Sequence, residues 1–215
     1  MLREEILRSA EALLVETGTE DALTLRAVAA RVAVTTPSVY RHFADKDALV
    51  EAVCLRVWDE LGARMSESAA AVEDPWRALG RCGRVYAHFA LDYPIQYRLL
   101  MMRPTAGRLP TASTACFGYV VGAVTACTNS GILRGDPEIL TVGLWSALHG
   151  LVSLLITQPD FPWPDDLDAL IEHTVRMAGF GSALACRLPR DNNANSAEFA
   201  AELDTLADRL TIVKP

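Results

Sequence analysis

The chain has 215 residues, of which 51% are hydrophobic and 22% charged, and its formal net charge at pH 7 is −7. This composition supplies a substantial core and argues against a protein coated in basic patches, although a local basic surface remains compatible with it. The five cysteines lie far apart without C-x-x-C spacing, so we predict neither a disulfide framework nor a zinc site. We expect no metal, no cofactor and a reduced, cytoplasmic compartment.

Helical periodicity dominates the sequence, and no alternating strand pattern of useful length occurs, which predicts an all-α fold. Ile6, Ala10 and Leu14 have the spacing of one face of a first helix. Gly18 follows, and glycine commonly ends a helix in the left-handed conformation. The chain is therefore predicted to begin with a helix that ends near Gly18.

Three further helix starts follow closely. Thr24 is a predicted N-cap for a second helix, and Thr36-Pro37 has the pattern of a cap and first-turn proline for a third. We expect the third helix to end near Phe43 and Asp45 to cap a long fourth one. Three short helices followed by a long one predict a helix-turn-helix head on a helical-bundle body.

The third predicted helix has an apolar underside and a polar outer face. Val39 and Phe43 lie four residues apart and can pack against the second helix. The polar side chains left to face DNA or solvent are Thr35, Thr36, Ser38, Tyr40, Arg41 and His42. The span 24–46 carries four basic residues against one acidic residue, +4 − 1 = +3, and the four are Arg26, Arg31, Arg41 and Lys46. In the simpler alternative, Tyr40 and His42 only cover the small core and Lys46 is a solvated charge.

The head also resembles a known family. The run LTLRAVAARVAVT over 23–35, followed by SVYRHFADKDAL over 38–49, resembles the signature of the tetracycline-repressor (TetR) family. The resemblance implies that Thr24, Tyr40 and Lys46 contact phosphates, and that base edges are contacted by Thr35, Thr36, Ser38 and His42, with Arg41 in either role and Arg26 nearby. The family usually has glycine where this chain has Ala33, so we expect a slightly different turn.

The body repeats the same helix signals. Asp74-Pro75 and Asp136-Pro137 are predicted helix starts, and Tyr93-Pro94 breaks a helix. Further helices are predicted from about residue 111 to Gly131 and from about 165 to 177, with stop signals at Gly179 and Gly181. A polar linker over 190–195 precedes a last amphipathic helix. We divide the chain into a DNA-binding head (1–46), a sensing and dimerisation body (47–187) and a C-terminal linker and helix (188–215).

Two stretches without charged residues, 109–133 and 139–157, raise the question of a membrane span. The first is rich in Thr, Ser, Cys and Gly, and acidic rather than basic residues flank the second. Helices that are apolar on all sides commonly lie inside a bundle or at a dimer interface. We therefore expect no membrane partner and place the dimer interface on the helices 139–157 and 165–177.

Aromatic and sulfur-containing residues of the body suggest a ligand pocket. A mostly apolar ligand is expected to contact some of Tyr86, Phe89, Tyr97, Met101, Trp145 and His149. Trp145 and His149 lie four residues apart and, with Gly150, resemble the Trp…His-Gly pattern of one class of TetR C-terminal domains. These residues fit ordinary core packing equally well, so both interpretations stay open here.

The sequence predicts a dimeric DNA-binding regulator, a repressor that binds a palindromic operator and responds to a small apolar effector. The alternative is a DNA-binding scaffold of the same fold without an effector. An enzyme is not predicted, because the sequence has no Gly-rich phosphate loop, H-E-x-x-H motif or nucleophile elbow.

Overall fold

A computed structural model describes residues 1–101, 111–188 and 195–212. Within these ranges the chain forms ten α-helices and no strand, which confirms the all-α prediction. The helices are α1 (Leu2–Thr17), α2 (Leu25–Arg31), α3 (Thr36–Tyr40), α4 (Lys46–Ala70), α5 (Pro75–Asp92), α6 (Pro94–Met101), α7 (Thr111–Asn129), α8 (Pro137–Thr157), α9 (Leu167–Ala185) and α10 (Ser196–Ile212).

Helix ends in the head follow local side-chain chemistry. Gly18 has φ +68° and its N–H donates to the Leu14 carbonyl, as expected of a left-handed C-cap. The Thr24 hydroxyl accepts from the Ala27 N–H, and the Asp45 carboxylate accepts from the Ala48 N–H. These caps confirm the predicted starts of α2 and α4.

The third helix differs slightly from its prediction. Its N-cap is Thr35, whose backbone is extended, so Thr36 already belongs to the helix. The helix ends at Tyr40, three residues before the predicted end, although the Phe43 N–H still donates to the Val39 carbonyl. The predicted end was too late because Phe43 packs in the core, as a residue of the same helix face would, but lies beyond the last helical residue.

The turn between α2 and α3 contains Ala33, the position at which this chain departs from the family pattern that its head resembles. Ala33 has φ +56° and is the only non-glycine residue with positive φ in the described part of the chain. A residue with a Cβ in this conformation costs roughly 1 kcal/mol or slightly more. The expected change of turn does not occur, because the alanine itself adopts the left-handed conformation.

The body begins with α4 and continues through four more long helices. Asp74 and Asp136 cap α5 and α8 as predicted, each followed by a proline in the first turn. The Tyr93-Pro94 break separates α5 from the short α6. Helix α6 packs against α1, α4 and α5, so it connects the head with the body.

Helix α9 runs past its predicted end. The stop signals at Gly179 and Gly181 are wrong, because the helix continues to Ala185. Gly179 is buried, and a Cβ there would lie 3.0 Å from a ring carbon of Trp76. The glycine therefore allows α9 to approach α5 closely and does not end the helix.

A single hydrophobic cluster joins the head to the body. It runs from Ile6 in α1 through Val28 and Val39 in the head, along the buried face of α4, to Val152 in α8. A smaller cluster around Leu133 lies between α7, α8 and α9. The predicted boundary at residue 46 stays a prediction, since the core is continuous across it.

Helix α8 leaves much apolar surface uncovered in the single chain. Ile139 is 73% exposed and Leu154 is 52% exposed. Among the described residues, α8 alone has the length and the mean hydropathy, 1.9, that would allow a helix to cross a membrane. A core helix of a soluble protein can have the same length and composition.

The C-terminal helix α10 makes few contacts with the rest of the chain. Leu203, Leu206 and Leu210 on its apolar face are all exposed. Most of the predicted linker, together with Met102, lies outside the described residues.

Candidate functional site

The outer surface of the head is built around the short helix α3. Val39 is fully buried and Phe43 is 4% exposed, in the same cluster as Leu25 and Val28 of α2. These contacts fix α3 against α2 and turn its other face outward. Such bracing gives a recognition helix a defined orientation in a DNA groove.

The residues predicted to contact base edges lie on α3 or next to it. The Thr35 and Ser38 hydroxyls are hydrogen bonded to each other at 2.9 Å. Thr36 is half-buried, whereas Arg41 and His42 are exposed. The structure thus brings these polar groups together at one end of the head, with the two hydroxyls oriented by a mutual bond.

The predicted phosphate contacts are placed less uniformly. Tyr40 is 54% exposed, and Arg26 is also exposed. The Thr24 hydroxyl is engaged as the α2 cap, and Lys46 Nζ donates to the Glu20 backbone carbonyl at 2.8 Å. That bond holds the lysine beside the head while leaving two of its three N–H donors for another acceptor.

The charge count of the head changes once its fold is known. Arg31 forms a two-point ion pair with Glu16 of α1, and the hydrogen bond to Arg31 lowers the pKa of the Glu16 carboxyl. Glu16 lies outside the span 24–46 from which the +3 was counted. Of the four basic residues in that span, Arg26, Arg41 and Lys46 form no ion pair among the described residues.

A polar cluster lies inside the body, where α5, α6 and α8 meet. Trp145 Nε1 donates to Tyr86 Oη at 3.0 Å, and Tyr86 Oη lies 2.8 Å from Tyr97 Oη. Tyr97 Oη in turn lies 2.5 Å from His149 Nδ1, while His149 Nε2 lies 3.3 Å from Ser153 Oγ. Four of the six predicted ligand residues are thus joined in one hydrogen-bonded cluster.

Burial keeps this cluster uncharged. Tyr97 is fully buried and Tyr86 is 6% exposed, and desolvation raises the pKa of both phenols. Desolvation also lowers the pKa of His149. The imidazole and both hydroxyls are therefore neutral near pH 7, and they bond to one another as neutral groups.

Protonation of His149 should destabilise the fold. Below the ordinary pKa of 6.5, an unfolded chain takes up a proton that the folded chain does not, so stability falls as pH drops from about 6.5 through the lowered folded-state pKa. We expect His149→Gln to remove this dependence. The measurement is the free energy of unfolding of both proteins by urea between pH 8 and pH 5. The difference between them should have the pH dependence of about one bound proton. A stability difference between them that stays constant over this range contradicts the assignment. His42→Gln, at an exposed site, controls for the loss of a histidine.

A cavity of about 1360 Å³ lies beside the polar cluster. Tyr86, Met101 and Trp145 line it, as the sequence suggested. Tyr97 and His149 are not among the lining residues, but both are hydrogen bonded to Tyr86, which is. The sixth residue, Phe89, is not part of the lining and stacks on Tyr93, with ring centroids 5.0 Å apart.

Sequence reasoning missed most of the lining. Large and sulfur-containing side chains from α4, α5 and α7 complete the lining, among them Trp58, Met65, Cys82, Cys116 and Phe117. The rim carries Arg77, Arg81 and Arg84 from one face of α5. Their spacing of four and three residues was visible in the sequence and could have indicated a common basic surface.

Comparison with known proteins agrees with this arrangement of head and body. Residues 6–53 match the family of bacterial regulatory proteins called tetR, and residues 79–178 match the tetracyclin repressor-like C-terminal domain. An HTH-type transcriptional repressor of Mycobacterium tuberculosis is 42% identical over 133 residues, which are 60% of this chain and 68% of that protein. The chain belongs to the tetracycline-repressor family. This TetR-family protein is a DNA-binding transcriptional regulator.

Solved structures share the fold of this TetR-family chain. A Rhodococcus sp. RHA1 protein of unknown function has a TM-score of 0.72 at 22% identity, over 86% of this chain and 95% of that one. A TetR/AcrR-family regulator from Thermobifida fusca YX-ER1 has a TM-score of 0.64 at 20% identity, over 83% of this chain and 97% of that one. At these identities the likeness concerns the fold alone.

Proposed function

We propose that this protein is a ligand-responsive repressor that acts in the cytoplasm and binds a palindromic operator as a homodimer. The observation that carries the proposal is the combination of an outward-facing recognition helix with a large, partly open cavity in the body, the two parts being joined by one hydrophobic cluster. A cavity of this size favours an effector-responsive regulator over a scaffold without an effector.

The DNA contacts divide into two groups. Tyr40, Lys46, Arg26 and the backbone near Thr24 are proposed to bind phosphates and to set the register of the head. Base edges are proposed to meet α3 and the residues beside it, that is Thr35, Thr36, Ser38, Arg41 and His42. The exposure of Arg41 and His42 supports this division.

The phosphate group is tested by the double substitution Tyr40→Phe and Lys46→Ala. Because the phosphate backbone is the same in every sequence, affinity should fall by a similar factor, about ten- to hundredfold, for operator and random duplex alike. The salt dependence of binding should fall by about one unit of slope. Fluorescence anisotropy on both duplexes measures these effects, and Arg134→Ala, at an exposed position of the body, is the control. Unchanged affinity at moderate salt would show that the assignment is wrong.

A homodimer is proposed to form through α8 and α9. Exposed apolar side chains project from both helices in the single chain, including Ile139 and Val142 from α8 and Met177 and Phe180 from α9. Gly143 and Gly150 have open space where a Cβ would be, so another helix can approach α8 closely. A two-fold dimer built this way places two heads against the two halves of a palindrome.

Ligand response is proposed to pass through α6. Tyr97 on α6 belongs to the polar cluster beside the cavity, and α6 also packs against α1 of the head. A ligand that favours one arrangement of α6 changes the head separation, and the operator fits only one separation. Coupling of about 1–3 kcal/mol would change operator affinity roughly 5- to 150-fold.

This coupling is tested by its reciprocity. Operator DNA should weaken ligand binding by the same factor by which the ligand weakens operator binding. Ligands found by thermal shift, since they stabilise the native state by mass action, can be titrated with and without operator. Equal affinity in both titrations would favour the scaffold without an effector.

A further inference from the structure

We propose that the cavity binds an amphipathic anion, with an apolar body against the interior and one anionic group held by Arg77 and Arg81 at the mouth. The inference rests on the proposed ligand response and names the chemical class of the effector. It follows from the distribution of polar and charged groups around the cavity.

The interior of the cavity offers no partner for a charge. Among the described residues, every buried side chain of the lining is uncharged, and Met65, Cys116 and Leu148 are examples. Burial raises the pKa of the Cys116 thiol to about 11, so it stays neutral. An ionised group in this region would lose its hydration without compensation, which favours an apolar ligand body.

Both buried hydroxyls of the lining are already engaged, and that of Thr141 donates to the Pro137 carbonyl. Tyr86 Oη accepts from Trp145 Nε1 at 3.0 Å and lies 2.8 Å from Tyr97 Oη. Its remaining neighbour is His149, with Nδ1 at 3.3 Å. A ligand that placed an anion here would have to displace these bonds, so the anionic end belongs elsewhere.

The mouth is where cations gather. The arginines that line the cavity are Arg77, Arg81, Arg84 and Arg176 and the carboxylates are Glu73, Asp74 and Glu172, so the local balance is 4 − 3 = +1. None of these seven side chains is buried, which places them at the mouth. Glu172 is paired with Arg84 at 2.7 Å, and the Asp74 carboxylate caps α5. Glu172 is therefore neutralised by Arg84, and the Asp74 carboxylate, although still charged, already accepts the Arg77 backbone N–H.

Three of these arginines, Arg77, Arg81 and Arg176, form no ion pair among the described residues. The Arg176 guanidinium lies over the Phe180 ring, 5.8 Å from its centroid, which leaves Arg77 and Arg81 for a ligand. Within the described ranges the Arg81 side chain donates only from Nε, to Ser68 Oγ at 3.3 Å. Both guanidinium groups are exposed and lie four residues apart on α5, on one face of the helix. Guanidinium groups bind carboxylates and phosphates through parallel hydrogen bonds, whereas they repel a cationic ligand.

The test compares three probes with the same ten-carbon chain and different head groups: decanoate, 1-decanol and decylamine. Isothermal titration calorimetry of the full-length protein should show decanoate binding about tenfold more tightly than decanol, with decylamine weakest. Added salt should weaken decanoate binding and leave decanol binding unchanged.

Substitutions then locate the anion. Arg77→Gln with Arg81→Gln should reduce the affinity for decanoate to that for decanol, without changing decanol binding. Both side chains are exposed, so the variant should fold normally. Arg134→Gln, another exposed arginine away from the cavity, should change neither affinity.

The outcomes separate this inference from the proposed function. Decanol binding as tightly as decanoate, an unaffected double variant or no binding by any probe would overturn the anion site. Operator release by decanol alone would do so too, while supporting the ligand response. Decanoate binding that depends on both arginines but leaves operator affinity unchanged would support the anion site and contradict the ligand response.

Discussion

Replacing Ser146 with arginine is expected to convert the protein into folded monomers and to lower operator affinity by about a thousandfold or more, towards non-specific binding. Ser146 is exposed at the middle of α8, between Gly143 and Gly150. In the single chain the new guanidinium would project into water, so the fold should survive. In the proposed dimer it would be buried against the partner's apolar surface without a counter-charge.

Sedimentation and circular dichroism separate these effects. The expected result is a monomer with unchanged helical content, together with loss of operator binding. Ala63→Arg, at an exposed position of α4, is the matched control and should remain a dimer. A Ser146→Arg protein that still sediments as a dimer would exclude this face of α8 from the interface.

The second large effect is expected from Phe43→Ala. Phe43 is 4% exposed and helps to hold α3 against α2, with the Arg3 guanidinium 5.2 Å from its ring centroid. Removal of a buried phenylalanine ring costs about 3–5 kcal/mol, a large part of the usual stability of a domain. DNA affinity should fall as well, because α3 loses the contact that orients it.

Tyr40→Ala is the comparison for Phe43→Ala. Tyr40 is 54% exposed, so its removal should weaken DNA binding with little change in the urea midpoint. Because the head and body share one hydrophobic cluster, Phe43→Ala should lower the midpoint of a single transition measured over the whole chain. Separate melting of head and body would contradict the continuous core.

Local chemistry explains what could be predicted from the sequence. Thr24, Asp45, Asp74 and Asp136 were identified as helix caps because a cap depends on residues only two or three positions away. The break at Tyr93-Pro94 was likewise local, since proline lacks an N–H donor. The positions of these helix starts and of this helix break along the chain therefore follow from short-range rules.

Features that depend on distant residues could not be predicted. Gly179 was interpreted as a stop signal because its neighbour Trp76 is about a hundred positions away and its packing role is invisible in sequence. Arg31 was counted in the net positive charge of the span 24–46 because its partner Glu16 lies on another helix, outside that span. The aromatic residues of the body could be recognised as a group from the sequence. Which of them line the cavity depends on the fold and could not be predicted.

The continuous core has a consequence for engineering. A chimeric regulator that joined this head to the sensing body of another protein would require the two parts to be separable. Here α4 carries Leu49 and Val53 under the head and Leu61 and Met65 under the body, on one unbroken helix. A fusion made at residue 46 would therefore pack the buried face of α4 against side chains from another protein that do not fit it. A chimera should therefore carry α1 through α4 together and preserve the contacts that α6 makes with them. The transferred head would then keep its core packing as well as its DNA specificity.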